Sequence, residues 1–168
     1  MVTNNFNRIA RHLMMTHWHV HRAFPREALD AIEEAIKQSE ATHDGEICFA
    51  LEGALHSAAL LKGQSARARA IEVFSQLHVW DTEQNNGVLI YLLLADQDVE
   101  IVADRGLHAR VGSSDWEVIC REMEARFRRR EYQEGVIAGI QAVAQQMRQH
   151  FPARDHWGNE LVDKAVVL

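Results

Sequence analysis

The sequence has little cysteine and proline, and it lacks any long apolar stretch. Its two cysteines, Cys48 and Cys120, lie within apolar patterns, so we expect buried thiols rather than a disulfide framework. No apolar run approaches the roughly 20 residues that a membrane-spanning helix requires, and no cationic and apolar leader opens the chain. These absences favour one cytoplasmic domain, since 168 residues can bury a core without disulfides or a structural metal.

An excess of basic residues is also absent. Lysine and arginine total 18 against 24 aspartates and glutamates, which gives a formal charge of -6. Because phosphate backbones are bound by concentrated lysine and arginine, nucleic acid is not expected as the main partner. A local basic run closes one predicted helix, where cations meet the negative end of the helix dipole. That run consists of Arg126, Arg128, Arg129 and Arg130.

The most informative stretch is an apolar run of seven residues, 88–94, which is bounded by turn-forming residues on both sides. Such a run predicts a central strand that is buried on both faces. A short polar turn and a second strand at 99–103 follow, so the two strands form a hairpin. Because the far ends of a hairpin lie side by side, we expect the turn at 81–86 to meet the turn at 104–106.

Helices are predicted around this hairpin, since apolar residues recur at helical spacing in five further segments. These segments are 5–15, a stretch opened by Pro25, one from about Ser65, one that starts at the capping sequence Ser114 to Glu117, and one from Glu131. Another buried strand is expected at 47–51, and the connection from 53 to 64 is expected to be irregular.

This order of elements predicts an α/β fold, a three-layer α/β/α sandwich with a central mixed sheet that contains the hairpin. Residues 1–25 are expected to form an N-terminal accessory helix followed by an extended segment. The main domain is expected at 26–149, and an extended C-terminal tail at 150–168.

Three histidines alternate with apolar residues just after the first helix. If this segment is extended, His17, His19 and His21 point to one side, and Trp18 and Val20 point to the other. Three imidazoles on one edge are a possible zinc site, although zinc sites usually take their ligands from separate elements. The other interpretation is a solvated polar face whose apolar side packs on the domain.

Oxygen-bearing side chains are concentrated in the two turns that the hairpin is expected to bring together. Hard cations bind through carboxylates, amides and backbone carbonyls, so these turns supply the chemistry of a divalent-cation site. An EF-hand is excluded, because the glycine falls one position late and the twelfth position is Leu92. The alternative is that these residues only form turns and cap backbone groups. The candidate ligands are Asp81, Glu83, Asn85, Asn86 and Asp104.

Several residues of this region resemble the TPM domain family. They are Asn86, Gly87, Val88 and Leu89, then Asp104, Gly106 and Leu107 at strand distance, and finally Phe127, Tyr132, Gly135 and Gly139. The resemblance covers residues 26–149 and implies an α/β/α sandwich with a site on the loops at one end of the sheet. It also implies calcium as the cation, since some members are described as binding calcium there. Many members carry an export signal and a membrane anchor, so this chain is expected to be a soluble, bacterial-type member.

The resemblance leaves the activity open, because one plant member is described as an acid phosphatase and others assist receptor or membrane-complex assembly. We expect a calcium-binding protein with an interaction or regulatory role. The first alternative is a metal-dependent acid phosphatase, in which Arg105 or Arg110 would hold the phosphate and His108 would donate a proton. The second alternative is a metal-free interaction domain that engages a protein partner through its N-terminal helix and C-terminal arm.

Overall fold

The computed structural model describes residues 2–153, 161 and 163–168, and for residues 2–5 it describes only the backbone. The elements in chain order are α1 Val2–Met14, α2 His17–Ala23, α3 Arg26–Glu40, β1 Glu46–Glu52, α4 Ser57–Leu61, α5 Ala66–Gln76, β2 Gly87–Leu93, β3 Asp98–Ala103, α6 Arg105–His108, α7 Ser113–Arg128, α8 Tyr132–His150 and β4 Val166–Val167. None of the described helices is both long enough and apolar enough to cross a bilayer.

The sheet is mixed and its strand order is β3-β2-β1-β4. β2 and β3 form the predicted antiparallel hairpin, with Val88 opposite Ala103. β1 and β2 are parallel, and Glu46 lies opposite Gly87. The crossover between them carries α4 and α5. β4 adds a short parallel edge beside β1. The predicted α/β architecture is therefore confirmed.

Both faces of the sheet are covered, which is why β1 and β2 read as unbroken apolar runs. Side chains alternate between the two faces of a strand. One face contributes Ile47, Phe49, Ile90 and Leu92 to the core that contains the buried residues of α3, α7 and α8. The other face contributes Cys48, Ala50, Leu89 and Tyr91 to a second core with α4 and α5. Cys48 and Cys120 are free thiols, and Cys48 is buried as expected whereas Cys120 is only partly buried.

Helices α7 and α8 pack closely because α8 has glycine where they touch. A Cβ atom added to Gly135 would lie 2.6 Å from the ring of Phe127, and one added to Gly139 would collide with Met123. Both facing side chains are buried. The two glycines therefore permit a close approach of the helices, despite their cost to helix stability.

The expectation of an extended segment after the first helix is wrong, because residues 17–23 form α2. Thr16 caps this helix, and its backbone N–H donates to Nδ1 of His19 at 3.3 Å. In a helix, His17 and His21 lie one turn apart on one face, whereas His19 points elsewhere. The three imidazoles therefore do not share one side as a zinc site would need.

Three smaller expectations also differ from the structure. α4 lies within the connection that was expected to be irregular, because its apolar residues, including the buried Leu60, pack on the second core. α7 starts at Ser113 with Gly112 in the capping position, so the predicted cap at Ser114 lies two residues too late. In the tail, β4 is a short strand, and the expected extended residues 154–160 and 162 lie outside the described residues.

Candidate cation site at the loop edge

Three loops meet at the end of the sheet where β1 and β2 begin and β3 ends. We call this end the loop edge and define it by residues 42–45, 81–86 and 104–106. Asp104 N–H donates to the carbonyl of Gly87 at 2.8 Å, and Nε of Arg105 donates to Oδ1 of Asn85 at 3.1 Å. The turns on either side of the hairpin therefore meet as predicted. The third loop joins them because Nδ2 of Asn86 donates to the carbonyl of Asp44 at 2.7 Å.

Glycine is required where the loops touch. A Cβ atom on Gly106 would lie 2.5 Å from the carbonyl oxygen of Asn85 and 2.8 Å from that of Gln84. These neighbours are backbone atoms, so they cannot rotate away as a flexible side chain could. The glycine thus allows the loop after β3 to press directly against the loop before β2.

Asn86 and Asp104 are the two buried members of the predicted ligand set, with 1% and 8% of their surface exposed. The backbone N–H of Asn86 donates to Oγ1 of Thr82 at 3.0 Å, and Oδ1 of Asp104 accepts from the backbone N–H of Arg105 at 2.6 Å. Their remaining side-chain oxygens, Asn86 Oδ1 and Asp104 Oδ2, are buried and accept no hydrogen bond from the described residues. An unsatisfied buried oxygen costs about 1–3 kcal/mol, so each is a favourable position for a bound cation.

The other predicted ligands lie further out. Asp81 and Glu83 are exposed on the turn before β2. Asn85 is half-buried in a left-handed conformation with φ of 53°, and its Oδ1 is held by Arg105. The structure therefore places Asn85, Asn86 and Asp104 on two touching loops and leaves the two acidic residues of the turn at the surface.

A second acidic group, absent from the sequence prediction, lies where α3 ends and β1 begins. One ligand oxygen from each of Glu40, Glu46 and Asp163 lies within 4.8 Å of the others, so this group could hold a metal ion. Glu40 ends α3, Glu46 starts β1 and Asp163 precedes β4. The sequence did contain a signal for Glu46, because it is a charged residue at the start of the otherwise apolar strand β1. No local pattern pointed to Asp163, because only the path of the tail places it there.

Burial raises the pKa of Glu40 to about 9, and repulsion from Glu46 and Asp163 adds to this effect. The backbone N–H of Ile47, which donates to Glu40 at 2.8 Å, acts in the opposite direction. Glu40 therefore carries a proton at neutral pH, and a cation bound to this group would have to displace that proton.

The three residues considered for phosphate binding are not brought to one place. Arg105 adjoins the loop edge through its hydrogen bonds to Asn85 and Asp104. Arg110 instead donates to the carbonyl of His150 at 2.7 Å and stacks over the ring of Phe151 at 4.4 Å. His108 lies in a separate groove beside β3.

A mixed four-stranded sheet between helical layers, with oxygen-bearing side chains on loops at one end, defines a class of small α/β sandwich proteins. Within this class, the model of the TPM domain matches residues 22–146. The chain therefore belongs to the TPM domain family. No curated protein sequence matches it.

Several solved structures share the fold. The BA42 protein from the psychrophilic bacterium Bizionia argentinensis is 26% identical with a TM-score of 0.75, and the match covers 84% of this chain and 93% of that one. The N-terminal domain of a protein from P. gingivalis is 19% identical with a TM-score of 0.61, covering 78% and 82%. The N-terminal domain of the cg2496 protein from Corynebacterium glutamicum is 9% identical with a TM-score of 0.54, covering 79% and 82%.

Proposed function

We propose that this TPM domain binds a divalent cation, calcium, at the loop edge and acts in interaction or regulation rather than in turnover. The observation that carries the proposal is the pair of buried oxygens, Asn86 Oδ1 and Asp104 Oδ2, which accept no hydrogen bond from the described residues. Buried polar atoms are normally satisfied, so two unsatisfied oxygens on touching loops favour an external ligand. A metal cation satisfies such oxygens because it binds to their lone pairs.

The donor set favours a hard cation. Asn86 and Asp104 would supply amide and carboxylate oxygens, and Asn85 would join them if Arg105 released its Oδ1. Asp81 and Glu83 would add negative charge at the rim, through ordered water or by direct coordination. Calcium accepts six to eight oxygen ligands in a flexible geometry, which suits ligands that come from separate loops. Zinc prefers nitrogen and sulfur ligands, so it fits this set less well.

The test is calorimetric titration of the chelator-stripped protein with calcium and then with magnesium. Asp104→Asn is the informative variant, because its remaining oxygen still caps α6 while the negative charge is lost. We expect calcium affinity to fall at least tenfold in this variant. Asp81→Asn is expected to have a smaller effect, because Asp81 is exposed.

Two matched variants make the assignment specific. Glu40→Gln alters the second acidic group, and Asp115→Asn removes one exposed carboxylate elsewhere; both should retain calcium binding at the loop edge. Loss of binding in Glu40→Gln but not in Asp104→Asn would move the cation to the group of Glu40, Glu46 and Asp163. Absence of binding at millimolar calcium would overturn the proposal.

Metal-dependent phosphatase activity is less well supported, since only Arg105 of the three suggested phosphate contacts adjoins the loop edge. The same protein samples can test it with p-nitrophenyl phosphate in the presence of calcium or magnesium. If hydrolysis of this substrate requires the metal and is lost in Asp104→Asn, the protein is a phosphatase and the proposed regulatory role is wrong. If no turnover occurs while calcium binding is retained, the binding role is supported.

A further inference from the structure

The two N-terminal helices present apolar side chains to solvent. Phe6, Leu13 and Met14 of α1 expose 72%, 70% and 72% of their surface, and Trp18 of α2 exposes 61%. Among the described residues, four of the ten large apolar side chains that are exposed lie on these two short helices. We call the group Phe6, Leu13, Met14 and Trp18 the N-terminal apolar surface. It lies at the hairpin-turn end of the sheet, opposite the loop edge.

This exposure follows from the way in which α1 is attached. Asp96, in the turn between β2 and β3, binds Nε of Arg8 at 2.8 Å and a terminal nitrogen of Arg11 at 3.0 Å. The ring of His12 is buried beside it: Nδ1 accepts from the backbone N–H of Leu55 at 3.0 Å, and Nε2 lies 3.2 Å from Asp96. The polar side of α1 therefore packs inward. The apolar stripe predicted from its sequence faces largely outward.

The segment is also cationic, although the protein as a whole is acidic. Residues 1–26 contain four arginines, four histidines and neither aspartate nor glutamate, whereas the whole chain has a formal charge of -6. Arg8 and Arg11 are partly neutralised by Asp96. Arg22 and Arg26 add two further exposed cations.

A groove of about 870 Å³ runs beside the N-terminal apolar surface and continues the same chemistry. Met14 and Trp18 line it together with Arg22 and Arg130. The guanidinium of Arg22 stacks over the ring of Trp18 at 5.2 Å. The single acidic residue in its described lining is Asp96, which is already bound by arginine. An apolar surface is thus bordered by cations on more than one element.

We propose that the N-terminal apolar surface binds the surface of an anionic lipid bilayer. An amphipathic helix with aromatic and aliphatic side chains on one side and arginines beside them inserts its apolar side among acyl chains, while the cations contact lipid head groups. The exposed side chains lie on the outward side of two helices that pack on the domain, which suits contact with a broad, deformable surface. Charge complementarity favours an anionic surface, because residues 1–26 of this acidic protein contain four arginines and neither aspartate nor glutamate.

The test is co-sedimentation of the full chain with phosphatidylcholine vesicles that either contain or lack phosphatidylglycerol, with chelator present throughout. The chelator removes any contribution of the loop-edge cation, so failure here and failure of calcium binding are distinguishable. The wild-type chain is expected to bind the anionic vesicles, to bind less at high salt because exposed charges are screened, and to bind neutral vesicles much more weakly.

Two double variants separate the apolar and cationic parts. Leu13→Ser with Trp18→Ser should weaken partitioning by on the order of tenfold or more, because both side chains are exposed and their loss leaves the core intact. Arg22→Ala with Arg130→Ala should weaken it roughly 25-fold, since each cation near an anionic surface contributes roughly fivefold. The matched controls are Leu61→Ser, another highly exposed apolar residue, and Arg121→Ala with Arg128→Ala on the exposed side of α7.

The proposal is overturned if the wild-type chain does not bind anionic vesicles, or binds neutral ones equally well. It is also overturned if the controls lose as much binding as the two test variants. A third contradictory outcome has two parts. The wild-type chain does not bind vesicles but self-associates in sedimentation velocity, and Leu13→Ser with Trp18→Ser abolishes this self-association. In that case the surface is an interface between copies of this chain.

Discussion

Asp96 is the residue whose removal most directly tests how the N-terminal helices are attached. Its side chain is 10% exposed, and its carboxylate faces Arg8, Arg11 and His12, which share one side of α1 because they are three and four positions apart. Asp96→Asn keeps the shape of the side chain and removes its charge. We expect α1 to detach from the domain more often, because the described contacts of α1 with the domain are chiefly polar and only Ile9 joins the second core.

The magnitude follows from the burial of each partner. Removing one member of a buried ion pair costs about 3–5 kcal/mol. The pair with Arg8 is only partly buried, and Arg11 is more than half exposed, so it contributes under about 1 kcal/mol. A loss of about 2–4 kcal/mol in the free energy of docking is therefore expected, which increases the undocked population roughly 30- to 1,000-fold.

Hydrogen exchange measured by mass spectrometry is the assay. Peptides from α1 and the amide of Leu55, which donates to His12, should exchange faster in Asp96→Asn by that factor. Asp30→Asn, an exposed substitution on α3, is the control and should leave these peptides unchanged. Unchanged exchange of α1 in Asp96→Asn would refute the assignment of Asp96 as its anchor.

The pH dependence of docking has a definite sign. Burial on its own would raise the pKa of Asp96, but hydrogen bonds from Arg8, Arg11 and His12 outweigh it and hold the pKa below its ordinary value. A lowered pKa stabilises the folded state above the unfolded pKa, and that stability is lost as the pH falls through the folded pKa. Weaker protection of α1, measured as exchange relative to the intrinsic amide rate at the same pH, is therefore expected in acid, and Asp96→Asn should remove this acid dependence.

Three further predictions concern the rest of the domain. The pKa of Glu40 is raised to about 9, so its contribution to folding stability is complete below pH 4.5 and is lost as the pH rises towards 9. In urea unfolding measured from pH 5 to 9, the midpoint of the wild type should therefore fall with pH, and Glu40→Gln should reduce this fall. Gly106→Ala should push the loop of Asn85 away, destabilising the protein by about 1–3 kcal/mol and weakening calcium binding in titration. Tyr91→Phe should cost about 1–2 kcal/mol in urea unfolding, because the tyrosine hydroxyl donates to the buried carboxylate of Glu52 at 2.7 Å.

Each of these predictions has a contradictory result. An equal decline of stability with pH in wild type and Glu40→Gln would show that Glu40 does not bind the extra proton. Unchanged stability and calcium affinity in Gly106→Ala would mean that the two loops are not tightly packed. An unchanged urea midpoint in Tyr91→Phe would mean that Arg69, which also binds Glu52 at 2.8 Å, satisfies the carboxylate by itself.

Local patterns predicted the fold well because the central strands carry strong signals. An apolar run bounded by turns predicted β2, and the short spacing to the next run predicted its pairing with β3. The meeting of the turns at 81–86 and 104–106 followed from the geometry of a hairpin alone. By contrast, alternation of His17, His19 and His21 suggested an extended segment, but the cap at Thr16 and the burial of Val20 favoured a helix.

For the candidate site, residue type could be predicted but not burial. Five oxygen-bearing residues were expected on two turns, and only the packing of the loops against one another decided that Asn86 and Asp104 are inside while Asp81 and Glu83 are outside.

The sequence by itself determined the central hairpin, since its two strands are close along the chain, and its local motifs indicated the family. Tertiary structure alone decided which distant residues meet. Glu40 and Asp163 come together only because the tail returns to the edge of β1. The spacing of apolar residues likewise defined one side of α1 but not its orientation. Asp96, 88 positions from Arg8, turned the polar side inward, because a buried carboxylate must be paired and exposed apolar side chains are tolerated at a surface.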